Sequence, residues 1–143
     1  MSEIEKEIDR VIQALHLPLG NIAKCDSATA EYVITEARER FVDGNPRSWW
    51  LSLRHAADVF VYPDNTIHTH LTEHIPVDQE SCWFVPETEE ETPPVYDLPK
   101  EYLRTILDEC PFFEYYIIGK ELDWLVIEND HNQLFVVRAN SSL

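Results

Sequence analysis

The spacing of apolar residues changes at Pro46, and this change restricts the fold more than any other feature of the sequence. Before Pro46, apolar residues recur at helical spacing within residues 4–15 and again within residues 30–41. Ser2 and Glu5 have the spacing of a capping box, which predicts the start of the first helix. The N-terminal part is therefore predicted to form two helices.

After Pro46 the sequence favours strands, because short runs rich in β-branched and aromatic residues alternate with turn residues. The predicted strands cover residues 49–53, 58–62, 66–71, 82–85, 112–118, 122–129 and 133–138. A Pro-Asp-Asn turn at 63–65 predicts that the second and third of these pair as a hairpin. One further helix, ending at Pro111, precedes the last three strands. This order predicts an α+β fold with a largely antiparallel sheet.

The 143 residues are predicted to form a single α+β domain, residues 1–143. Residues 86–99 are rich in Pro and Glu and are predicted to form an exposed acidic loop. This loop is not interpreted as a domain linker, because the segments on either side of it are too small to fold alone.

The formal net charge of −16 comes from 27 Asp and Glu against 11 Lys and Arg. The same chain is 44% hydrophobic and 11% aromatic, so it can bury a core, unlike a disordered acidic tail. The excess negative charge is therefore expected on the surface of a packed domain. It argues against binding to nucleic acid, which needs a basic face, and predicts a partner protein with a basic surface.

Several other classes of function lack a signal in the sequence. The first residues show no secretory signal and no apolar run is long enough to cross a membrane, which predicts a cytoplasmic protein without a membrane partner. Three widely spaced cysteines predict reduced thiols and no disulfide framework. The three glycines are isolated, so no phosphate-binding loop and no cofactor are predicted. The sequence does not predict an oligomeric state.

The candidate partner-binding residues are acidic and aromatic. Adjacent tryptophans on a strand point to opposite faces, so one of the pair is a candidate exposed anchor, unless a second layer covers both faces. The acidic loop would attract a basic partner at long range. The predicted partner-binding residues are Trp49, Trp50, Glu87, Glu89, Glu90 and Glu91.

A metal site is the alternative function. His68 and His70 would share one face of a strand, and His74 or Glu73 could complete three ligands of the kind that a catalytic zinc ion uses. A solvated strand face explains the same alternation, so no metal, cofactor or catalytic residue is assigned. The chain is predicted to be a non-enzymatic protein-binding domain.

The C-terminal third carries F-E-Y-Y at 113–116, D-W-L at 123–125 and E-N-x-H at 128–131. It resembles a family of small uncharacterised bacterial domains with this C-terminal signature. The resemblance implies a bacterial cytoplasmic origin and a characteristic turn at 128–131, where either a hydrogen-bonded hairpin end or a site explains the polar residues. It implies no activity. By size and charge, the chain is also similar to immunity proteins, which suggests an inhibitor of a basic toxin.

Overall fold

The computed structural model describes residues 2–15, 22–63, 66–90 and 92–139. Three α-helices lie in this part of the chain: α1 (Glu3–Ala14), α2 (Ser27–Phe41) and α3 (Leu103–Glu109). The seven strands are β1 (Ala23–Lys24), β2 (Ala57–Phe60), β3 (Ser81–Pro86), β4 (Tyr96–Pro99), β5 (Tyr115–Ile118), β6 (Trp124–Glu128) and β7 (Leu134–Arg138). The predicted α+β fold is confirmed.

The strands form one sheet in the order β1-β4-β3-β5-β6-β7-β2, and every neighbouring pair is antiparallel. The last three strands follow one another as neighbours, as their short connections predict. β2 comes from the middle of the sequence but lies at the edge of the sheet beside β7, where Ala57 is opposite Val137 and Phe60 is opposite Leu134. The sheet therefore depends on pairing between distant parts of the chain.

Helices cover both faces of the sheet. One core cluster joins α1 and α3 to side chains such as Trp124 and Val126 of β6, and a second joins α2 to Leu125 and Ile127 of the same strand. Successive side chains of a strand point to opposite faces, so the central strands β3, β5, β6 and β7 each contribute to both clusters. This explains why the central strands read as continuous hydrophobic runs instead of alternating with polar residues.

The first two helices begin with side-chain caps. The Ser2 hydroxyl accepts a hydrogen bond from the Glu5 backbone N–H at 3.2 Å, as predicted for α1. At α2 the Asp26 carboxylate accepts from the Thr29 N–H at 2.7 Å. Such caps supply partners for N–H groups that the first turn of a helix leaves free. The caps and the apolar spacing together place both helices, whose apolar faces lie in the core.

The strand predicted over residues 49–53 is wrong. Trp49–Leu51 is a short 3-10 helix, in which the Ser52 N–H donates to the Trp49 carbonyl at 3.1 Å. Leu53 forms one isolated bridge with Val42, which follows α2. The alternating pattern of this segment therefore reflects a tight turn that buries Trp49 against the sheet.

The predicted hairpin between 58–62 and 66–71 is also wrong. Ile67–Thr69 and Leu71–His74 are 3-10 helices. β2, which overlaps the other predicted strand of the hairpin, pairs with β7 instead. The Asp64 and Asn65 positions of the predicted turn lie outside the described residues.

Within the described ranges, no helix is both long enough and apolar enough to cross a lipid bilayer.

The acidic segment 86–99 is a loop only in its middle. β3 ends at Pro86 and β4 begins at Tyr96, so both ends belong to the sheet. Val95 and Tyr96 are buried, because this end of the segment lies in the core. Glu89 and Glu90 are exposed, as predicted, and Glu91 lies outside the described residues.

Candidate functional site

Acidic side chains meet where three central strands begin or end. The register places Pro86 at the end of β3 opposite Tyr115 at the start of β5, and Tyr115 opposite Glu128 at the end of β6. The residues that flank these positions therefore lie at the same end of the sheet. We call the carboxylates there the acidic end: Glu87, Glu114, Glu128 and Asp130.

Glu114 connects the members of the acidic end. Its carboxylate accepts a hydrogen bond from the Asp130 backbone N–H at 3.1 Å and another from the Trp50 indole N–H at 3.4 Å. The Glu87 N–H also donates to the Glu114 carbonyl at 2.9 Å. Burial, and after it the neighbouring Glu87 carboxylate, raise the pKa of Glu114 to about 7. This carboxyl is therefore only partly ionised near neutral pH.

The Glu87 carboxylate joins the acidic end to the core. It accepts a hydrogen bond from the Tyr116 hydroxyl at 2.6 Å. The Tyr116 ring stacks on Trp49 with 4.4 Å between ring centroids and an interplanar angle of 7°. The position of Glu87 is thus set by buried aromatic side chains, although the sequence predicted a residue of an exposed loop.

Glu128 is a buried carboxylate at the end of β6. The residue is 7% exposed, and the Tyr115 hydroxyl donates to its Oε1 at 2.5 Å. Burial raises the pKa of Glu128, while the Tyr115 hydroxyl and the charge of His68 act in the opposite direction. A carboxyl group in this setting binds a proton more readily than a solvated one.

The turn at 128–131 is held by Asn129, which is fully buried. Its side-chain oxygen accepts from the His131 N–H at 3.0 Å and from the Gln133 N–H at 3.1 Å. Asn132 then adopts a positive φ of 60°, which Asn tolerates better than most residues. The hairpin-end interpretation of these polar residues therefore accounts for Asn129.

A cavity of about 470 Å³ opens beside this turn, and we call it the turn cavity. Its aromatic lining residues are Phe112, Phe113 and Tyr115. The polar lining residues are His68, Asp108, Glu128, Asn129, Asp130 and Asn132. No lysine or arginine belongs to this lining in the part of the chain that the structure describes. The cavity thus combines aromatic walls with acidic and amide groups.

A second cavity, of about 650 Å³, contains most of the predicted partner-binding residues, and we call it the loop cavity. Trp49, Glu87, Glu89 and Glu90 line it, so the structure brings together residues that are far apart in the sequence. Its charged lining also includes Arg38 and Arg47. Trp49 is only 5% exposed and Trp50 is half-buried, so an exposed tryptophan anchor is not present. Both tryptophans pack against the core cluster on the α2 side of the sheet.

The predicted histidine cluster separates into three pairs. His68 Nε2 lies 2.6 Å from Asp108, His70 Nδ1 lies 2.7 Å from Glu73, and His74 Nε2 lies 2.7 Å from the Tyr62 hydroxyl. Among the described residues, no group of three or more His, Cys, Asp or Glu side chains could hold a metal ion.

Comparison with known proteins gives a family but no activity. A model of a family of unknown function, DUF6756, matches residues 1–142. The chain belongs to this family. This confirms the resemblance to an uncharacterised family that the C-terminal signature indicates. No curated protein and no solved structure matches the chain significantly.

The sequence analysis of this DUF6756 member missed two carboxylates, Glu114 at the acidic end and Asp108 in the lining of the turn cavity. Glu114 directly precedes a strand, where a lone Glu is usually solvated, and the sequence does not show that β3 and β6 bring Glu87 and Asp130 to it. Asp108 comes directly after the regularly spaced apolar residues of α3, so in the sequence it looks like an ordinary solvent-facing residue. The F-E-Y-Y motif was the available signal for Glu114, which it contains, whereas neither C-terminal motif contains Asp108.

The three thiols of this DUF6756 member have raised pKa values. Burial raises the pKa of Cys82 to about 12 and that of Cys110 to about 11, and it also raises the pKa of Cys25. Reactive cysteines have lowered pKa values, because the thiolate is the nucleophile. The environments of these thiols therefore favour the protonated form.

Proposed function

We propose that the chain is a non-enzymatic protein of the bacterial cytoplasm that binds a basic partner protein through the acidic end. An immunity-type inhibitor of a basic toxin is the most specific form of this proposal. The observation that supports it best is the meeting of Glu87, Glu114, Glu128 and Asp130 from three separate segments. In the described residues, none of these four carboxylates lies within ion-pair distance of a lysine or arginine.

Some carboxylates elsewhere on the surface have such partners. Lys24 Nζ lies 2.7 Å from Glu5 and 2.6 Å from Asp9, and Lys120 Nζ lies 2.8 Å from Asp97. At the acidic end the closest charge to Glu114 is another carboxylate, that of Glu87. Like charges this close raise the cost of ionising both, and an added positive charge relieves that cost. A cationic partner would therefore gain affinity here that it would not gain at Lys24.

The acidic end also has an approach surface. Glu89 and Glu90 are exposed on the neighbouring loop, and the net charge of −16 gives the whole molecule a negative field. Fields of this kind speed the encounter with a basic protein and weaken as salt is added. Binding should thus combine salt-sensitive attraction at long range with specific contacts at the strand ends.

Affinity capture tests the proposal. The full chain is immobilised and exposed to a bacterial lysate at about 50 mM and about 500 mM salt, which change the screening length severalfold. Two variants are compared, each with three carboxyl groups replaced by amides. The acidic-end variant carries Glu87→Gln, Glu114→Gln and Asp130→Asn. The control variant carries Glu31→Gln, Glu36→Gln and Glu39→Gln on α2.

We expect the wild type and the control variant to enrich the same basic protein at low salt and the acidic-end variant to lose it. Equal capture by the two variants would show that net charge alone is responsible and would contradict the proposal. Failure to enrich any basic protein would also contradict it. The metal alternative at His68, His70 and His74 is tested by elemental analysis of untagged protein, where a stoichiometric transition metal would replace the present proposal.

A further inference from the structure

The turn cavity has the chemistry of a receptor for a flat organic cation. We propose that it binds a guanidinium group and that this group is an arginine side chain of the basic partner. This inference rests on the proposed function and adds to it the group that is recognised. Three features of the cavity support it: a buried carboxylate, an amide oxygen without a donor, and aromatic walls.

The buried carboxylate is that of Glu128. The residue is more than nine-tenths buried and lines the cavity, and among the described residues Tyr115 is the one hydrogen-bond donor to its carboxylate. A carboxylate has about four acceptor positions. Glu128 can therefore accept further hydrogen bonds, and a cationic donor would offset the cost of keeping its charge out of water.

The amide oxygen is that of Asn132. This Oδ1 atom is buried and has no hydrogen-bond partner in the described part of the chain. The orientation of the amide is fixed, because its Nδ2 donates to the Tyr62 carbonyl at 2.8 Å and a carbonyl can only accept. Asn132 thus lines the cavity and carries a buried acceptor that lacks a donor, and leaving such a group unsatisfied is costly.

The walls and rim suit a cation with an apolar stem. Phe112, Phe113 and Tyr115 line the cavity, and aromatic faces attract guanidinium groups. Asp130 adds a further carboxylate at the rim, while Asp108 is engaged by His68. A volume of about 470 Å³ leaves space for the stem of a long side chain.

A guanidinium fits this set of groups better than an ammonium. The N–H donors of a guanidinium lie in one rigid plane, so they can donate to a carboxylate and to a second acceptor at the same time. A guanidinium is also more weakly hydrated than a compact ammonium, so it loses less hydration on binding. The cavity offers both kinds of acceptor, Glu128 and Asn132, beside aromatic rings. We therefore expect selectivity for guanidinium over ammonium compounds of the same length.

The test is an NMR titration of the full chain with N-ethylguanidinium, and with propylammonium as the matched probe. We expect N-ethylguanidinium to shift the amide signals of Asn129 and Asn132 and to bind several-fold more tightly than propylammonium. Glu128→Gln keeps the acceptor for Tyr115 but removes the charge, and should weaken binding about tenfold or more. The control Glu39→Gln, an exposed position on α2, should leave binding unchanged.

Asp130→Asn provides a second variant at an exposed position, so folding of the chain does not limit the test. It should weaken N-ethylguanidinium binding by a smaller factor than Glu128→Gln. Shifts that map away from the cavity, equal binding of the two probes, or unchanged affinity in both variants would overturn the inference.

The capture experiment and the NMR titration together distinguish failure of the present inference from failure of the proposed function. If the Glu128→Gln variant captures the basic partner as well as the wild type, the present inference is overturned and the proposed function stays intact. Guanidinium binding in the cavity without capture of any basic protein overturns the proposed function, and the source of the group is then a free guanidinium compound.

Discussion

The turn cavity and the loop cavity lie beside the same end of the central strands, yet their charges differ in kind. The loop cavity contains Glu87, Glu89 and Glu90 together with Arg38 and Arg47. The lining of the turn cavity contains carboxylates and no lysine or arginine in the described residues. Each lining contains three carboxylates, so the count does not distinguish the two cavities, and the absence of compensating cations favours the turn cavity as the place where a cation would be bound.

The floors of the two cavities differ as well. Trp49 and Tyr116 form the floor of the loop cavity and belong to the packed core on the α2 side of the sheet. Glu128 and Tyr115 form the floor of the turn cavity and join a buried carboxylate to a hydroxyl. Tyr115 also belongs to a core cluster, on the α1 and α3 side of the sheet. We therefore expect substitutions at the first floor to affect stability through packing, and those at the second to affect binding and the pH dependence of stability as well.

Trp49→Ala should have the largest effect on stability. It removes a buried side chain that stacks on Tyr116, and large-to-small changes of this kind cost about 3–5 kcal/mol. Urea denaturation followed by far-UV circular dichroism measures the loss. A change below about 1 kcal/mol would mean that the loop cavity floor is not part of the core.

Tyr115→Phe should lower the free energy of unfolding by about 1–3 kcal/mol, because Glu128 loses its hydroxyl donor while staying buried. The pKa of Glu128 should rise further, since this hydrogen bond lowers it. A carboxyl with a raised pKa in the folded state stabilises that state at low pH and loses this contribution as pH rises. Relative to the wild type, the variant should therefore be destabilised most at alkaline pH. Urea denaturation of both proteins at several pH values measures this difference. Equal losses at acid and alkaline pH would contradict this account.

Glu87→Gln should lower the pKa of Glu114 from about 7 towards the usual value of a glutamate, because a like charge disappears from beside it. In the wild type, the contribution of Glu114 to stability is complete at acid pH and is lost as pH rises through about 7. As pH rises through this range, the Glu87→Gln variant should lose less stability than the wild type does. Carbon-detected NMR titration of the Glu114 carboxyl measures the pKa, with Glu39→Gln as the control that should leave it unchanged.

Phe112→Ala should have the smallest effect on stability, within about 0.5 kcal/mol, because the residue is 59% exposed at the rim of the turn cavity. It should still weaken binding of N-ethylguanidinium a few-fold, since it removes one aromatic wall. Together with Trp49→Ala, it tests directly whether the two cavities differ in the way described. A large loss of stability would remove that distinction.

The sequence predicted the elements whose signal is local. The capped, amphipathic segments became α1 and α2, and the β-branched runs near the C-terminus became β5, β6 and β7. The prediction over 66–71 was wrong, because alternation over a few residues also fits a tight helix. Ile67, Leu71 and Ile75 are all buried, and their spacing of four was the helical signal.

The candidate site was harder to predict, because it depends on which strands are neighbours. Glu87, Glu114 and Asp130 approach one another only through the register of β3, β5 and β6. No local pattern contains that register, since strand pairing over long separations depends on the packing of the whole sheet. Glu87, the predicted site residue at the acidic end, was chosen for its charge, and its contacts with buried aromatic residues could not be anticipated.

The position of β2 beside β7 has a consequence for synthesis. Residues 57–60 leave the ribosome long before residues 134–138, yet these two segments are partners in the sheet. Until β7 has been synthesised, β2 lacks its partner strand, and Phe60, which packs against the core in the finished sheet, lacks part of its cover. β2 can therefore join the sheet only after β7 has been made.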